Sequence, residues 1–211
     1  MKYKNLYLSL SLALLSVSGI SAQETVKNMF ISAPFDVLPT LSENARLDMI
    51  DYYESGLQRP SSSNFGDEVM ITEITDNKLR VQTSKTCEIT IYAVPMEKDT
   101  SIVVIETYSL PFPDSKVSVY NKNWTKYAQI DGGLIDEWQT ETAKKGKKLT
   151  DIENVISFIS ASADFEPGTK TLTFTNTSEN QTVKDEYKKV APYLKETRSF
   201  NLSQKGFKEM K

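Results

Sequence analysis

The chain has 211 residues, of which 39% are hydrophobic and 25% are charged, and its formal net charge is -3. This is the composition of an ordinary globular protein, and a mildly acidic chain gives no reason to expect nucleic acid as a partner. The sequence holds no histidine and one cysteine, which excludes Ser-His-Asp triads, Cys-His dyads, zinc sites of the usual His/Cys type and an internal disulfide framework.

The first 22 residues have the pattern of a secretory signal peptide. Lys2 and Lys4 give a basic start, Leu6–Val17 is an apolar stretch, and Ala22 is a small residue at the expected cleavage position. We therefore expect export, with Gln23–Lys211 as the soluble mature protein. The one cysteine does not follow the signal, so the sequence predicts no lipoprotein anchor. No later segment is apolar for long enough to form a transmembrane anchor.

An amphipathic helix is predicted after a proline-punctuated lead-in, Phe30–Leu41. Thr40 and Glu43 have the spacing of a capping box, so we expect a helix over 41–55. Gly56 is expected to end that helix in a left-handed conformation.

Arg46 falls on the apolar arc of this helix. A guanidinium that faces an apolar side usually pairs with a carboxylate or with backbone carbonyls. We expect Arg46 to tie the helix to the sheet, with contact to a ligand as the alternative. Asp48 and Asp51 lie together on the polar arc, where a solvated face is the simpler interpretation and a glycosidase acid/base pair is the alternative.

A run of strand-like segments with short connections then favours an antiparallel meander. Ser101–Tyr108 is apolar on both faces, which predicts a central strand. Cys87 alternates with Ile89 and Ile91, so we expect its thiol to be buried and reduced. The segments are Val69–Thr75, Leu79–Thr83, Cys87–Val94, Ser101–Tyr108 and Lys116–Tyr120.

The second half of the chain is less regular and predicts a smaller α+β lobe. A short helix over Leu134–Ala143 would carry Trp138, and 182–191 has the pattern of another helix. Asp136 beside Trp138 suits a sugar that stacks on the indole, although acids at a helix start explain the same residues more simply. Strands are expected at Val155–Ala161, Lys170–Thr175 and Glu196–Leu202.

The predicted fold class is α+β, with an antiparallel meander sheet packed by an N-terminal helix and a smaller second α+β lobe. We expect one domain over 23–211, with two lobes at about 23–130 and 131–211 as the alternative. No phosphate loop, dinucleotide fingerprint or calcium loop is present, so we expect neither a cofactor nor a metal.

The segment Leu38–Leu57 resembles the opening of an uncharacterised family of exported proteins from Bacteroides-like bacteria. Asp114-Ser115, Tyr120 and Trp124 resemble the middle region of that family. The resemblance implies a bacterial periplasm or cell surface as the location, and it implies no catalytic residue because the family has no assigned activity. The residues that fit in the first segment are Asn44, Arg46, Asp51, Tyr53, Glu54 and Gly56.

These observations predict a non-catalytic envelope protein that binds a protein, peptide or glycan. Arg46, Asp136 and Trp138 are the candidate ligand-binding residues. The alternatives are a carboxylate-dependent glycan hydrolase, for which a cleft with two carboxylates would be needed, and a structural assembly subunit.

Overall fold

The computed structural model describes residues 26–57, 59–97 and 99–210. The predicted signal peptide, residues 1–22, lies outside the described residues, so export and cleavage stay predictions. Within the described ranges, no helix is both long enough and apolar enough to cross a membrane.

Two antiparallel sheets form most of the fold, and the predicted α+β class is confirmed. The first sheet has seven strands in chain order: β1 (Ser61–Ser62), β2 (Glu68–Ile74), β3 (Lys78–Ser84), β4 (Cys87–Pro95), β5 (Thr100–Tyr108), β6 (Asp114–Asn121) and β7 (Lys126–Ile130). The second sheet has the order β11-β10-β9-β8, with β8 (Ala161–Glu166), β9 (Thr171–Asn176), β10 (Thr197–Ser203) and β11 (Gly206–Glu209).

Short helices accompany the sheets. The α-helices are α1 (Glu43–Glu54), α2 (Glu141–Lys145), α3 (Leu149–Glu153) and α4 (Lys184–Val190), and residues 26–32 are also helical. Single turns of 3-10 helix occur at Ile135–Trp138, Ser178–Gln181 and Ala191–Tyr193.

The start of α1 differs from the predicted capping box. Ser42 is the N-cap, and its Oγ accepts a hydrogen bond from the backbone N–H of Ala45 at 3.2 Å. Thr40 still belongs to the preceding turn, where its carbonyl accepts from the N–H of Asn64. The end of the helix is as predicted, because Gly56 adopts a φ of +68°, which is the left-handed conformation that glycine tolerates best.

Each face of the first sheet contributes to a hydrophobic core. On one face, helix 26–32, the lead-in and α1 pack on the strands through residues that include Phe30, Leu38, Leu41, Met49, Ile71, Val81 and Ile91. On the other face, β4–β6 pack on the second sheet and its helices through residues that include Val103, Val119, Trp138, Ile156, Leu172 and Phe174. The second core therefore draws side chains from both halves of the chain.

Side chains of β6 also join the two sheets directly. The Asp114 carboxylate accepts a hydrogen bond from the N–H of Ala161, and the Ser115 hydroxyl accepts one from the N–H of Ala163, each at 3.0 Å. These acceptors satisfy two N–H groups of β8 that face away from β9.

Several local predictions were wrong. Cys87 is half-buried at the first position of β4, because the strand pairs there with the exposed Tyr108 near the sheet end; the thiol is not a core group. Burial still raises the pKa of the Cys87 thiol. The predicted helix Leu134–Ala143 is divided, with extended backbone at Gln139 between the 3-10 turn and α2. The predicted strand Val155–Ala161 is irregular up to Ser160, and β8 begins at Ala161.

Candidate functional site

An open cleft lies between the C-terminal end of α1 and strand β2, and we call it the edge groove. It has a volume of about 350 Å³. Leu57 is 56% exposed and Tyr53 is 38% exposed, so apolar and aromatic surface faces solvent here. The lining residues are Met49, Tyr52, Tyr53, Gly56, Leu57, Arg59, Met70, Ile71 and Thr72.

The floor of the edge groove is the free edge of a β-strand. β2 pairs with β3 through Met70 to Ile74 on one side. On its other side, β1 pairs only with Val69 and Glu68. From Met70 onward, no strand of the described residues covers this outer edge. An uncovered edge presents backbone N–H and C=O groups that can pair with another chain.

Helix α1 closes the far end of this edge. The Tyr53 hydroxyl accepts a hydrogen bond from the backbone N–H of Ile74 at 3.2 Å. A β-bulge shifts the β2–β3 register between Ile71 and Glu73, which bends the strand at the groove. The uncovered edge therefore runs from Met70 to Glu73, between β1 and the Tyr53 hydroxyl.

The groove carries one exposed cation. The Arg59 guanidinium lies 5.5 Å from the centre of the Tyr52 ring, which is a cation–π distance. Among the described residues, no carboxylate lies within ion-pair distance of Arg59. The described lining residues offer apolar, aromatic and cationic groups, and neither a carboxylate nor a thiol is among them.

The end of α1 is held in place by residues of the first resemblance segment. Tyr53 and Gly56 line the edge groove themselves. Glu54 forms an ion pair with Lys27 of helix 26–32, which ties the end of α1 to that helix. Two residues of this motif thus line the groove, and a third anchors the helix end beside it.

Arg46 is buried away from the groove and serves as a tether. It is 6% exposed, and one guanidinium nitrogen donates to the backbone carbonyl of Ala33. The predicted tie to the sheet is therefore a tie to the lead-in instead. Burial lowers the pKa of the Arg46 guanidinium, and the negative charge of Glu43 opposes that shift.

Trp138 and Asp136 lie on different surfaces of the chain. The Trp138 side chain is fully buried, its Nε1–H donates to the carbonyl of Gly132, and Arg198 lies 5.6 Å from its ring centre. The indole therefore has no exposed face on which a sugar could stack. Asp136 is exposed and lines a separate cavity with Leu134 and Phe158. The three predicted site residues are not brought together.

Sequence reasoning missed the edge groove because it depends on tertiary structure. At helical spacing Tyr52 and Tyr53 fall on the apolar arc of α1, and Arg59 lies in a polar stretch with no periodic pattern. Nothing local to these residues shows that β1 is only two residues long and leaves β2 uncovered. The one available signal was Leu57, an apolar side chain just beyond the glycine that ends the helix.

Comparisons with known proteins place the chain in an uncharacterised group. The family model described as "Protein of unknown function (DUF3256)" matches residues 17–207. No curated protein matches. A solved structure, "Structure of a domain of an uncharacterized protein from Porphyromonas gingivalis W83", is similar with a TM-score of 0.65 and 17% identity, over 88% of this chain and 98% of that chain. At that identity the likeness concerns the fold.

Proposed function

We propose that this chain, which belongs to the DUF3256 family of proteins of unknown function, binds an extended segment of a protein partner along the edge of β2. The observation that carries the proposal is the uncovered strand edge from Met70 to Glu73, which lies against an apolar and aromatic cleft. In this mode the segment adds a strand to the sheet, since the edge of β2 supplies the backbone donors and acceptors.

The neighbouring side chains would add apolar contacts to this pairing. Alternate side chains of an added strand point to the same face of the sheet, so every second guest residue would face α1. Tyr52, Tyr53 and Leu57 offer large, partly exposed apolar surfaces there. Aromatic anchors of this kind contribute much of the binding free energy in protein interfaces. We therefore expect apolar guest residues at alternate positions.

Two features of the groove support a short guest segment that carries an acidic residue. β1 covers the edge at Val69, and the Tyr53 hydroxyl covers it at Ile74. The added strand would thus pair over Met70–Glu73 only. Arg59 at the groove favours an acidic guest residue nearby, because its guanidinium can bind a carboxylate.

The proposed location is the bacterial envelope, and the proposed partner is an envelope protein. The basic and apolar pattern of the first 22 residues supports export, and with it an envelope role at the periplasm or cell surface. The partner would then be an envelope protein with an exposed extended segment.

Selection of phage-displayed random peptides on the purified protein tests this function. The enriched sequences should alternate apolar with polar residues, and a synthetic copy should shift the backbone amide signals of Met70–Glu73 in an NMR titration. N-methylation of every second guest amide should abolish binding in one register and leave it intact in the other. Shifts confined to another part of the protein would contradict the proposal.

A matched pair of variants separates the groove from general surface effects. Leu57→Ser removes an apolar wall of the groove and should weaken peptide binding by about tenfold. Leu47→Ser changes a leucine that is 42% exposed on α1 but does not line the groove, and should leave affinity unchanged. Equal effects of the two substitutions would count against the edge groove.

A further inference from the structure

A polar pocket lies where the two sheets meet, and we call it the junction pocket. It has a volume of about 370 Å³. One wall comes from the turn before β3, the start of β3 and strand β4, and the other comes from the end of β8 and the turn that follows it. None of its residues lines the edge groove. The lining residues are Asn77, Lys78, Tyr92, Asp164, Phe165, Glu166 and Pro167.

The Tyr92 hydroxyl is a buried polar group of this pocket that the fold leaves unused. The side chain is 3% exposed, and its ring packs edge-on against Phe165 with 5.3 Å between the ring centres. Its hydroxyl makes no hydrogen bond to any of the described residues, although buried tyrosine hydroxyls usually have a partner. Burial is the main reason why the pKa of Tyr92 is raised, and the negative charges of Asp164 and Glu166 add to the shift. The hydroxyl therefore lies near both pocket carboxylates and has room for a hydrogen bond to a ligand.

The pocket also has uncompensated negative charge. Asp164 and Glu166 are exposed, and within the described ranges no cation lies in ion-pair distance of either carboxylate. Glu166 accepts one hydrogen bond from a backbone N–H of the following turn, at 3.0 Å. The two cations near Tyr92 are already paired with acids outside the lining. The pairs are Lys78–Glu73 at 2.7 Å and Arg80–Glu88 at 3.4 Å.

We propose that the junction pocket binds a primary ammonium group. An ammonium brings one positive charge and three N–H donors. Asp164 and Glu166 supply acceptors with the compensating charge, and the side-chain oxygens of Tyr92 and Asn77 supply neutral acceptors. The acceptors of the pocket therefore match this ligand both in charge and in the number of hydrogen bonds.

Other classes of ligand suit the junction pocket less well. Among the described residues, no group of three or more acidic, cysteine or histidine side chains is arranged to hold a metal ion. An anion would face two carboxylates of its own charge. A neutral sugar would leave the charge of both carboxylates uncompensated.

Two sources supply a primary ammonium group, a small free amine and a lysine side chain of another protein. Either ligand would contact both sheets, because the pocket is built from both. A ligand that binds the folded chain alone stabilises it by mass action. The inference is independent of the proposed function, since the two sites share no residue.

An NMR titration of the purified protein with butylamine tests the site, because butylamine reproduces the lysine side chain. The backbone amide signals of Asn77, Tyr92 and Phe165 should shift and reach saturation. Butanol, which has the same carbon chain without the charge, should leave them unchanged at the same ionic strength. Equal shifts with butanol, or shifts with calcium chloride but none with butylamine, would overturn the proposal.

A blocked tripeptide, acetyl-Gly-Lys-Gly-amide, distinguishes the two sources. Tighter binding of the tripeptide than of butylamine would identify a lysine side chain as the ligand, and weaker binding would identify a free amine. The same tripeptide with norleucine in place of lysine is the control and should not bind. Binding of the norleucine peptide with equal affinity would count against recognition of the ammonium group.

Tyr92→Phe separates a role in binding from a role in the fold. The variant loses only a hydroxyl that has no partner among the described residues, so it should melt like the wild type. It should bind butylamine about fivefold more weakly, because one hydrogen bond to the ligand is lost. A lower thermal midpoint with unchanged affinity would show that the hydroxyl serves the fold instead.

A matched pair of double variants tests the two carboxylates. Asp164→Asn/Glu166→Gln removes both charges of the pocket and should weaken butylamine binding about tenfold. Asp136→Asn/Glu153→Gln removes two exposed carboxylates that line a different cavity, and should leave the affinity unchanged. Equal affinities of the two double variants would overturn the assignment of the ammonium to the junction pocket.

Discussion

At the residue scale, Arg46 holds the segment that precedes α1 against the helix. Its guanidinium is buried and donates to the carbonyl of Ala33, which is itself in the core. No ion pair accompanies it within the described ranges, and its Nε has no hydrogen-bond partner there. Burying the Arg46 charge costs desolvation free energy, and a single backbone carbonyl compensates only part of that cost. The hydrogen bond to Ala33 can offset it only if its geometry is good.

Arg46→Ala should destabilise the protein without affecting partner binding. Loss of the donor leaves the buried Ala33 carbonyl unsatisfied, which costs about 1–3 kcal/mol. We expect the thermal midpoint to fall by several degrees in a calorimetric scan. Arg46→Lys should recover only part of the loss, because an ammonium group does not reproduce the guanidinium geometry. Arg59→Ala is the control and should melt like the wild type; a normal midpoint for Arg46→Ala would refute the tether.

Arg198 is a second buried cation, with a different set of partners. It donates two hydrogen bonds to the Glu209 carboxylate, at 2.9 and 3.0 Å, and a third to Glu137 at 2.9 Å. Trp138 and Phe200 lie against its guanidinium at 5.6 and 5.1 Å. The hydrogen bond from Arg198 is the main reason why the pKa of Glu209 is lowered from its ordinary value of 4.5.

The ion pair between Arg198 and Glu209 leads us to expect that the folded protein loses stability in acid. Because the pKa of Glu209 is lower in the folded chain, the folded chain binds fewer protons than the unfolded chain near and below pH 4.5. The stability that Glu209 contributes is present above that pH and is lost as the pH falls through its folded pKa. Urea unfolding as a function of pH should show the decline, and Glu209→Gln should flatten it. The exposed Glu97→Gln is the control, and a slope unchanged by Glu209→Gln would contradict the assignment.

At the element scale, the sequence predicted those helix and strand features that are set by residues close together in the chain. Gly56 ends α1 as expected because a left-handed residue is required there, and the apolar run in β5 marks a strand covered on both faces. The predicted N-cap, Thr40, was wrong: Ser42 is the N-cap, and serine and threonine suit that position equally. The turn that holds Thr40 outside the helix depends on the distant Asn64. Ile156 and Ile159 are core residues in irregular backbone, and their apolar side chains give the segment the pattern of a strand.

The roles of residues that connect separate strands and sheets were the hardest to predict from the sequence. In the sequence Asp114 and Ser115 stand out only through a family resemblance, yet in the fold they accept hydrogen bonds from the outward N–H groups of β8. The edge groove likewise depends on which strand covers β2. Such roles depend on contacts between segments far apart in the chain, and no single-segment pattern encodes them.

Asp114→Ala should weaken the junction between the sheets. The N–H of Ala161 is buried, and without its carboxylate acceptor it loses a charge-assisted hydrogen bond. We expect a destabilisation of about 1–3 kcal/mol, measured by urea unfolding, with faster amide hydrogen exchange at Ala161. Asp114→Asn keeps an acceptor and should lose less. Asp48→Ala, an exposed carboxylate on α1, should be near neutral; equal costs for Asp114 and Asp48 would exclude the junction role.

At the scale of the whole molecule, the first sheet is the layer on which everything else packs. Its two faces carry separate cores, one closed by helix 26–32 with α1 and the other by the second sheet. The second core includes Val103 and Val119 from the first half of the chain and Leu172 and Phe174 from the second half. Removing either half would expose an apolar face of several strands, so the two halves are expected to fold together.

A fragment that ends at residue 130 should therefore fail to fold alone. It would keep the core beneath α1 but would leave Val103, Ile105, Val117 and Val119 exposed on one face of the sheet. Burial of such side chains stabilises the folded state by roughly 1.5–3 kcal/mol each. Since the free energy of unfolding of a whole domain is only about 5–15 kcal/mol, losing several of these contributions should unfold the fragment. The chain over residues 23–211 should melt in one transition whose calorimetric and van't Hoff enthalpies agree. Fragment 23–130 should give no cooperative transition and should bind a dye specific for exposed apolar surface, whereas a sharp melting transition of that fragment would establish two independent lobes and contradict the shared core.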